Sequence, residues 1–166
     1  MSEPGAAIVL IGPMGVGKTT IGRKLARAMK LPFIDTDNLI VDAHGPIPAI
    51  FEERGEPTFR QFEEDAVAKA IAEPAVVATG GGAVLSATTR KRLKQVTVIY
   101  LSTDGKHIAS RLSSGNRPLL KGGVADWRRI YNERRALYES AANFEVDTSG
   151  QPINLTIQAI ISKLGS

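Results

Sequence analysis

No cysteine occurs in the 166 residues, so disulfides and thiolate metal sites are excluded, a composition that suits a reducing compartment. Only two histidines are present, His44 and His107. Neither has a second histidine or a carboxylate at ligand spacing, so both read as surface or capping residues rather than metal ligands. Long apolar runs are missing too. The stretch from Ala6 to Ile11 is far too short for a signal-peptide core or a membrane span, and no basic segment precedes it, so a cytoplasmic protein with no membrane partner is expected. Aromatic residues make up 5% of the chain, and none interleaves with the densest basic cluster, Arg90-Lys91-Arg92 with Lys94. The net charge of +4 therefore carries no nucleic-acid reading, and a small anionic ligand accounts for the excess arginine as well. With 43% apolar residues and no repeat, low-complexity stretch or linker, a single domain spanning residues 1–166 is expected.

What is present is organised around Ala6 to Thr20. An apolar, β-prone run, Ile8-Val9-Leu10-Ile11, leads into Gly12-Pro13-Met14-Gly15-Val16-Gly17-Lys18-Thr19, which fits the G-x-x-x-x-G-K-[ST] phosphate-binding loop. Its glycines let consecutive backbone N–H groups turn inward around phosphate oxygens, and the following helix adds the positive end of its dipole. Lys18 is expected on the β- and γ-phosphates and the Thr19 hydroxyl on Mg²⁺.

A helix over Thr20 to Met29 carries an apolar stripe at Ile21, Leu25 and Ala28. The short strand Pro32-Phe33-Ile34 then ends at Asp35-Thr36-Asp37. Strand, helix and strand in this order predict a right-handed crossover in a parallel sheet, with both carboxylates at a strand's carboxyl end, where open α/β sheets bind ligands. From Leu39 to Ala72 the pattern is helical but broken by Gly45-Pro46, Pro48, Gly55 and Pro57. Ile47, Ile50 and Phe51 are apolar at i, i+3 and i+4, and a longer helix is expected from about Thr58 to Ala72, with Phe59, Phe62, Ala66 and Ala70 inward and Arg60 one turn from Glu63. Two short helices between the second and third strands would make a small subdomain over the ligand-binding edge.

The third strand, Ala75 to Ala78, runs into Thr79-Gly80-Gly81-Gly82, where glycines permit close approach of backbone to ligand. This strand lacks the terminal aspartate that usually helps hold Mg²⁺, and Asp35 is the best replacement. A helix is expected over Ser86 to Leu93, a fourth strand over Val96 to Leu101, and a helix capped by Thr103 or Asp104 and ending near Leu112. Residues 113–123, rich in glycine and small polar residues, carry the isolated Arg117, as a closing lid needs to neutralise a transferring phosphoryl group. A helix over Asp126 to Ala142, a fifth strand at Phe144 to Asp147, and a helix over Pro152 to Leu164 with a stripe at Ile153, Ile157, Ile160, Ile161 and Leu164 complete the chain. Trp127 and Tyr131 read as packing residues.

Taken together, these motifs resemble the shikimate kinase family over nearly the whole length. The resemblance rests on the phosphate loop, Asp35-x-Asp37, Ile50-Phe51 through Gly55-Glu56 to Phe59-Arg60 and Glu63, Gly80-Gly81-Gly82, Arg117-Pro118-Leu119-Leu120, and Glu133-Arg134 with Leu137-Tyr138. It implies an α/β, three-layer P-loop kinase fold: a five-stranded parallel sheet in order 2-3-1-4-5 flanked by helices, a helical substrate subdomain near residues 37–63, and a lid near residues 113–124. The implied activity is ATP-dependent phosphorylation of the 3-hydroxyl of shikimate by a cytoplasmic monomer. Carried over, the nucleotide site comprises Gly12, Gly15, Val16, Gly17, Lys18, Thr19, Thr20, Arg111, Arg117 and Gln151, with Thr19 and Asp35 on Mg²⁺. Shikimate falls to Asp37, Arg60, Gly80, Gly81, Gly82, Arg117 and Arg134, and catalysis to Lys18, Asp37 and Arg117. A gluconate-type or nucleotide kinase, or a catalytically silent nucleotide-binding module, would share the phosphate loop without needing all of these residues.

Overall fold

The computed structural model describes residues 6–112 and 123–165, so Arg117 and most of the expected lid lie outside the described residues. Strands and helices alternate in the order β1 (Ile8–Ile11), α1 (Lys18–Met29), β2 (Phe33–Asp35), α2 (Thr36–His44), α3 (Ile47–Ala70), β3 (Val76–Ala78), α4 (Ala87–Leu93), β4 (Thr97–Ser102), α5 (Ile108–Arg111), α6 (Val124–Ala141), β5 (Phe144–Asp147) and α7 (Ile153–Leu164), with a 3-10 turn at Ala83–Leu85. The strands form one parallel sheet in the expected order, β2-β3-β1-β4-β5.

β1, β3 and β4 are buried along their whole length, as strands covered on both faces must be. Alternate side chains of β1 serve two cores. Val9 and Ile11 pack with Val67 of α3, Leu93 of α4, Ile108 of α5 and Trp127, Tyr131 and Tyr138 of α6. Ile8 and Leu10 pack with Ile21 and Leu25 of α1 and Ile157 and Ile160 of α7. The result is three layers, helix on sheet on helix. A third, smaller cluster of Ile40, Ile50, Phe59 and Ala66 joins α2 to α3.

Register places the site. Ala78 pairs with Leu10 on one side and with Asp35 on the other, so β1, β2 and β3 end level. The phosphate loop, the Asp35–Asp37 segment and the triple-glycine turn therefore leave the sheet at one edge.

Several local expectations are corrected. α2 starts at Thr36 rather than near Leu39, because the Asp35 side chain accepts a hydrogen bond from the Asp37 backbone N–H at 2.9 Å and caps the helix. Pro46 and Pro48 open α3, where an absent N–H costs nothing. The break expected at Gly55 is present, at φ 82° and ψ 167°, and the regular stretch carrying Phe59 to Ala70 lies beyond it as expected. Thr103 and Asp104 do not cap α5; their side chains accept from the N–H groups of Gly105 and Lys106 at 3.1 and 2.9 Å, closing local turns instead.

On α7, Ile161 is 41% exposed whereas Ile160 is fully buried, because a 3.6-residue period turns the one away as it turns the other in. Ile160→Ala should therefore lower stability by about 2–5 kcal/mol, and Ile161→Ala by less than about 1 kcal/mol. Urea midpoints of the two variants check the facing of this helix.

Candidate active site

β1 delivers the phosphate loop and α1 closes it. Lys18 is 9% exposed, and its ammonium folds back over the loop, donating to the carbonyls of Gly12 at 2.6 Å and Pro13 at 2.9 Å. The Thr19 hydroxyl, in the first turn of α1, donates to Asp35 Oδ2 at the end of β2 at 2.8 Å, bringing an alcohol and a carboxylate oxygen together across the end of β3, which lies between β1 and β2. Thr79 stands where β3 lacks its aspartate. Its hydroxyl instead donates to the Leu10 carbonyl at 2.9 Å, tying the triple-glycine turn to β1. Arg111 reaches across from α5, its Nη1 donating to the carbonyls of Gly15 at 3.0 Å and Val16 at 3.3 Å.

Opposite the loop, α3 presents Arg60, held by Glu63 at 2.8 Å and Glu56 at 3.2 Å. The guanidinium lies against the triple-glycine turn: a Cβ on Gly82 would overlap Arg60 Nη1, so any side chain there would displace the arginine. Arg134, 7% exposed, faces the same turn from α6, its Nη1 3.6 Å from where a Gly81 Cβ would sit. One turn further along α6, the Tyr138 hydroxyl donates to the Gly81 carbonyl at 2.5 Å.

This edge concentrates charge away from water. Burial, reinforced by the carboxylates of Asp35 and Glu63, pushes Asp37 up to about 6, against the pull of Lys18 and Arg60. Burial likewise raises Glu63 above the ordinary carboxylate range, with Arg60 opposing it. Burial pushes the Tyr138 hydroxyl up to about 12, with Arg134 opposing.

The described site residues expected from sequence converge on one cavity of about 730 Å³. Gly15, Val16, Gly17, Lys18, Thr19, Thr20, Arg111 and Gln151 line it on the side of the glycine-rich loop; Asp37, Arg60, Gly80, Gly81, Gly82 and Arg134 also line it, as does Asp35. Gly12 is buried behind this lining. Sequence reasoning missed Thr148 and Thr156, which also line it, and the polar ends of Tyr138 and Trp127. Trp127 Nε1 donates to the Met14 carbonyl at 2.7 Å. A usable signal existed for these two: buried indole and phenol donors need partners, and positions 127, 134 and 138 share a face of a helix.

Neither histidine contributes. His44 stacks on Phe62 with ring centroids 3.5 Å apart, and among the described residues no three His, Cys, Asp or Glu side chains gather as a metal site. Arg90 of the basic cluster donates to the Val84 carbonyl at 2.6 Å and the Leu85 carbonyl at 3.1 Å, holding the 3-10 turn.

Comparison with known proteins agrees with this architecture. A family model for shikimate kinase matches residues 14–165. The shikimate kinase of Rhodococcus jostii (strain RHA1) is 43% identical over 163 residues, covering 94% of this chain and 96% of that protein. That of Streptomyces coelicolor is 43% identical over 165 residues, covering 97% and 95%. Among solved structures, shikimate kinase from Acinetobacter baumannii in complex with shikimate superposes with a TM-score of 0.92 at 36% identity, covering 98% of this chain and 94% of that one. A gluconokinase from Sinorhizobium meliloti 1021 superposes with a TM-score of 0.65 at 21% identity over 96% of this chain and 91% of that one, a likeness of fold alone.

The raised Asp37 has a consequence for stability. Its folded value of about 6 stands above the ordinary 3.8, so the folded protein binds the extra proton between those values and stability falls as pH rises through that window. Asp37→Asn, neutral throughout, should stabilise the ligand-free protein by about 1–3 kcal/mol above pH 6, the gain fading towards pH 4. Thermal unfolding across this range with a metal chelator present measures it.

Proposed function

The chain belongs to the shikimate kinase family, and from that premise we propose that it transfers the γ-phosphoryl group of ATP to the 3-hydroxyl of shikimate. The observation that carries the reading is the facing of two half-sites across one cavity, a phosphate loop with Lys18 and Thr19 on one wall and Asp37, Arg60 and Arg134 on the other. A planar carboxylate suits the guanidinium forks of Arg60 and Arg134. Asp37, ionised above pH 6, accepts from the attacking hydroxyl and orients it. The new O–P bond forms as the bridge to the β-phosphate breaks, and the hydroxyl proton leaves to Asp37 or to water.

Because loose phosphoryl-transfer transition states depend on positioning and charge neutralisation, Lys18 and Arg117 are assigned to the transferring group, with Lys18 leaving the Gly12 and Pro13 carbonyls to do so. Arg111 and Gln151 are assigned to the adenine side, Thr20 to the phosphates. The convergence of the Thr19 hydroxyl and Asp35 carboxylate supplies hard oxygen donors of the kind Mg²⁺ takes alongside substrate phosphates. Bound there, the ion would neutralise phosphate charge. Residues 37–63 are read as the substrate subdomain of a single domain spanning residues 1–166, residues 113–124 as its lid, and the enzyme as a cytoplasmic monomer. No described helix is long and apolar enough to cross a membrane.

An assay of ADP release with shikimate, gluconate and nucleoside monophosphates in parallel tests the reading; turnover confined to shikimate is expected. Arg60→Ala should raise the KM for shikimate roughly thirtyfold or more, the equivalent of about 2 kcal/mol for one lost charge-assisted partner, and an unchanged KM would remove Arg60 from the carboxylate site. Arg117→Ala should lower kcat by about a hundredfold while ADP affinity changes far less. Equal losses would argue against a role in the transition state.

A further inference from the structure

A phosphate loop turns its N–H groups inward, so its carbonyls point outward and must find donors of their own. Here consecutive carbonyls are each met by a side chain. Lys18 holds those of Gly12 and Pro13, Arg111 holds those of Gly15 and Val16, and between them the Met14 carbonyl accepts from Trp127 Nε1 at 2.7 Å. The donors differ in what a ligand does to them. Lys18 and Arg111 are cationic and line the cavity, so an arriving nucleotide draws both toward itself. Trp127 is neutral, 1% exposed and docked under the loop from α6.

The indole is fixed in that position. A Cβ on Gly105 would fall 2.8 Å from its Cζ3, and its ring lies 5.3 Å from that of Tyr131, centroid to centroid. We propose that Trp127 is a positioning residue for the nucleotide, its indole N–H holding the outer side of the phosphate loop so that the amides stay turned inward when Lys18 and Arg111 change partners. This rests on the function proposed above only in taking the loop as the nucleotide site.

The chain has a single tryptophan, which allows a shape-conserving test. Trp127→Phe removes the donor, and global replacement of tryptophan by 3-benzothienylalanine, with sulfur in place of N–H, removes it while keeping the ring. Tyr138→Phe serves as the parallel change, deleting another buried donor of α6 that reaches the opposite wall at Gly81. ADP affinity is read by calorimetry and hydrogen exchange over residues 12–19. Both tryptophan replacements should weaken ADP binding by about three- to tenfold, the worth of one hydrogen bond, and speed exchange in the loop, while Tyr138→Phe leaves ADP affinity unchanged. Unaltered ADP affinity in the benzothienyl protein, or an equal loss in Tyr138→Phe, would overturn the assignment. Since ADP binding needs no phosphoryl acceptor, absence of turnover on shikimate would count against the proposed reaction alone.

Discussion

Parallel pairing that sets Leu10, Ala78 and Asp35 side by side is the constraint on which the site depends. Strands that end level release their loops at the same height, so segments far apart in sequence meet without a dedicated scaffold. The Thr19–Asp35 hydrogen bond spans this edge, and the Thr79–Leu10 bond pins it. A slip of one residue would turn β1's side chains to the wrong cores and carry the carboxylates away from the loop.

The second theme is charge held out of water. Asp35, Asp37 and Glu63 crowd the same edge as Lys18, Arg60 and Arg134, and burial raises Asp37 and Glu63 despite their cationic neighbours. Such an arrangement costs folding free energy and is suited to binding a ligand that completes the pairing. Arg60 is pre-set by Glu63 and by the glycine turn beneath it, so its guanidinium has little conformational entropy left to lose on pairing with an anion.

Much of this was legible in the chain. The phosphate loop, the five strands and the wide spread of apolar stripes followed from periodicity and from glycine placement. The pair Arg60 and Glu63 followed from helical spacing. Element ends were less so. Thr103 and Asp104 looked like caps for α5, but turns closed on them first, and the helix waited until Ile108. The stripe on α7 read Ile161 as inward because two adjacent isoleucines both fit an apolar face until the sheet's position decided between them.

The sequence by itself determined which local elements form and which residue types gather at strand ends, because backbone sterics and short-range periodicity act within a few residues. Tertiary structure alone decided which partner each polar group meets. That Lys18 rests on Gly12 and Pro13, that Thr79 takes the place of an aspartate by bonding to Leu10, and that Trp127 bonds to a carbonyl 113 residues away depend on the register of the sheet and the seating of α6. Hydrogen bonds between groups so distant in the chain carry no local signature, since only the folded core sets their distance and direction.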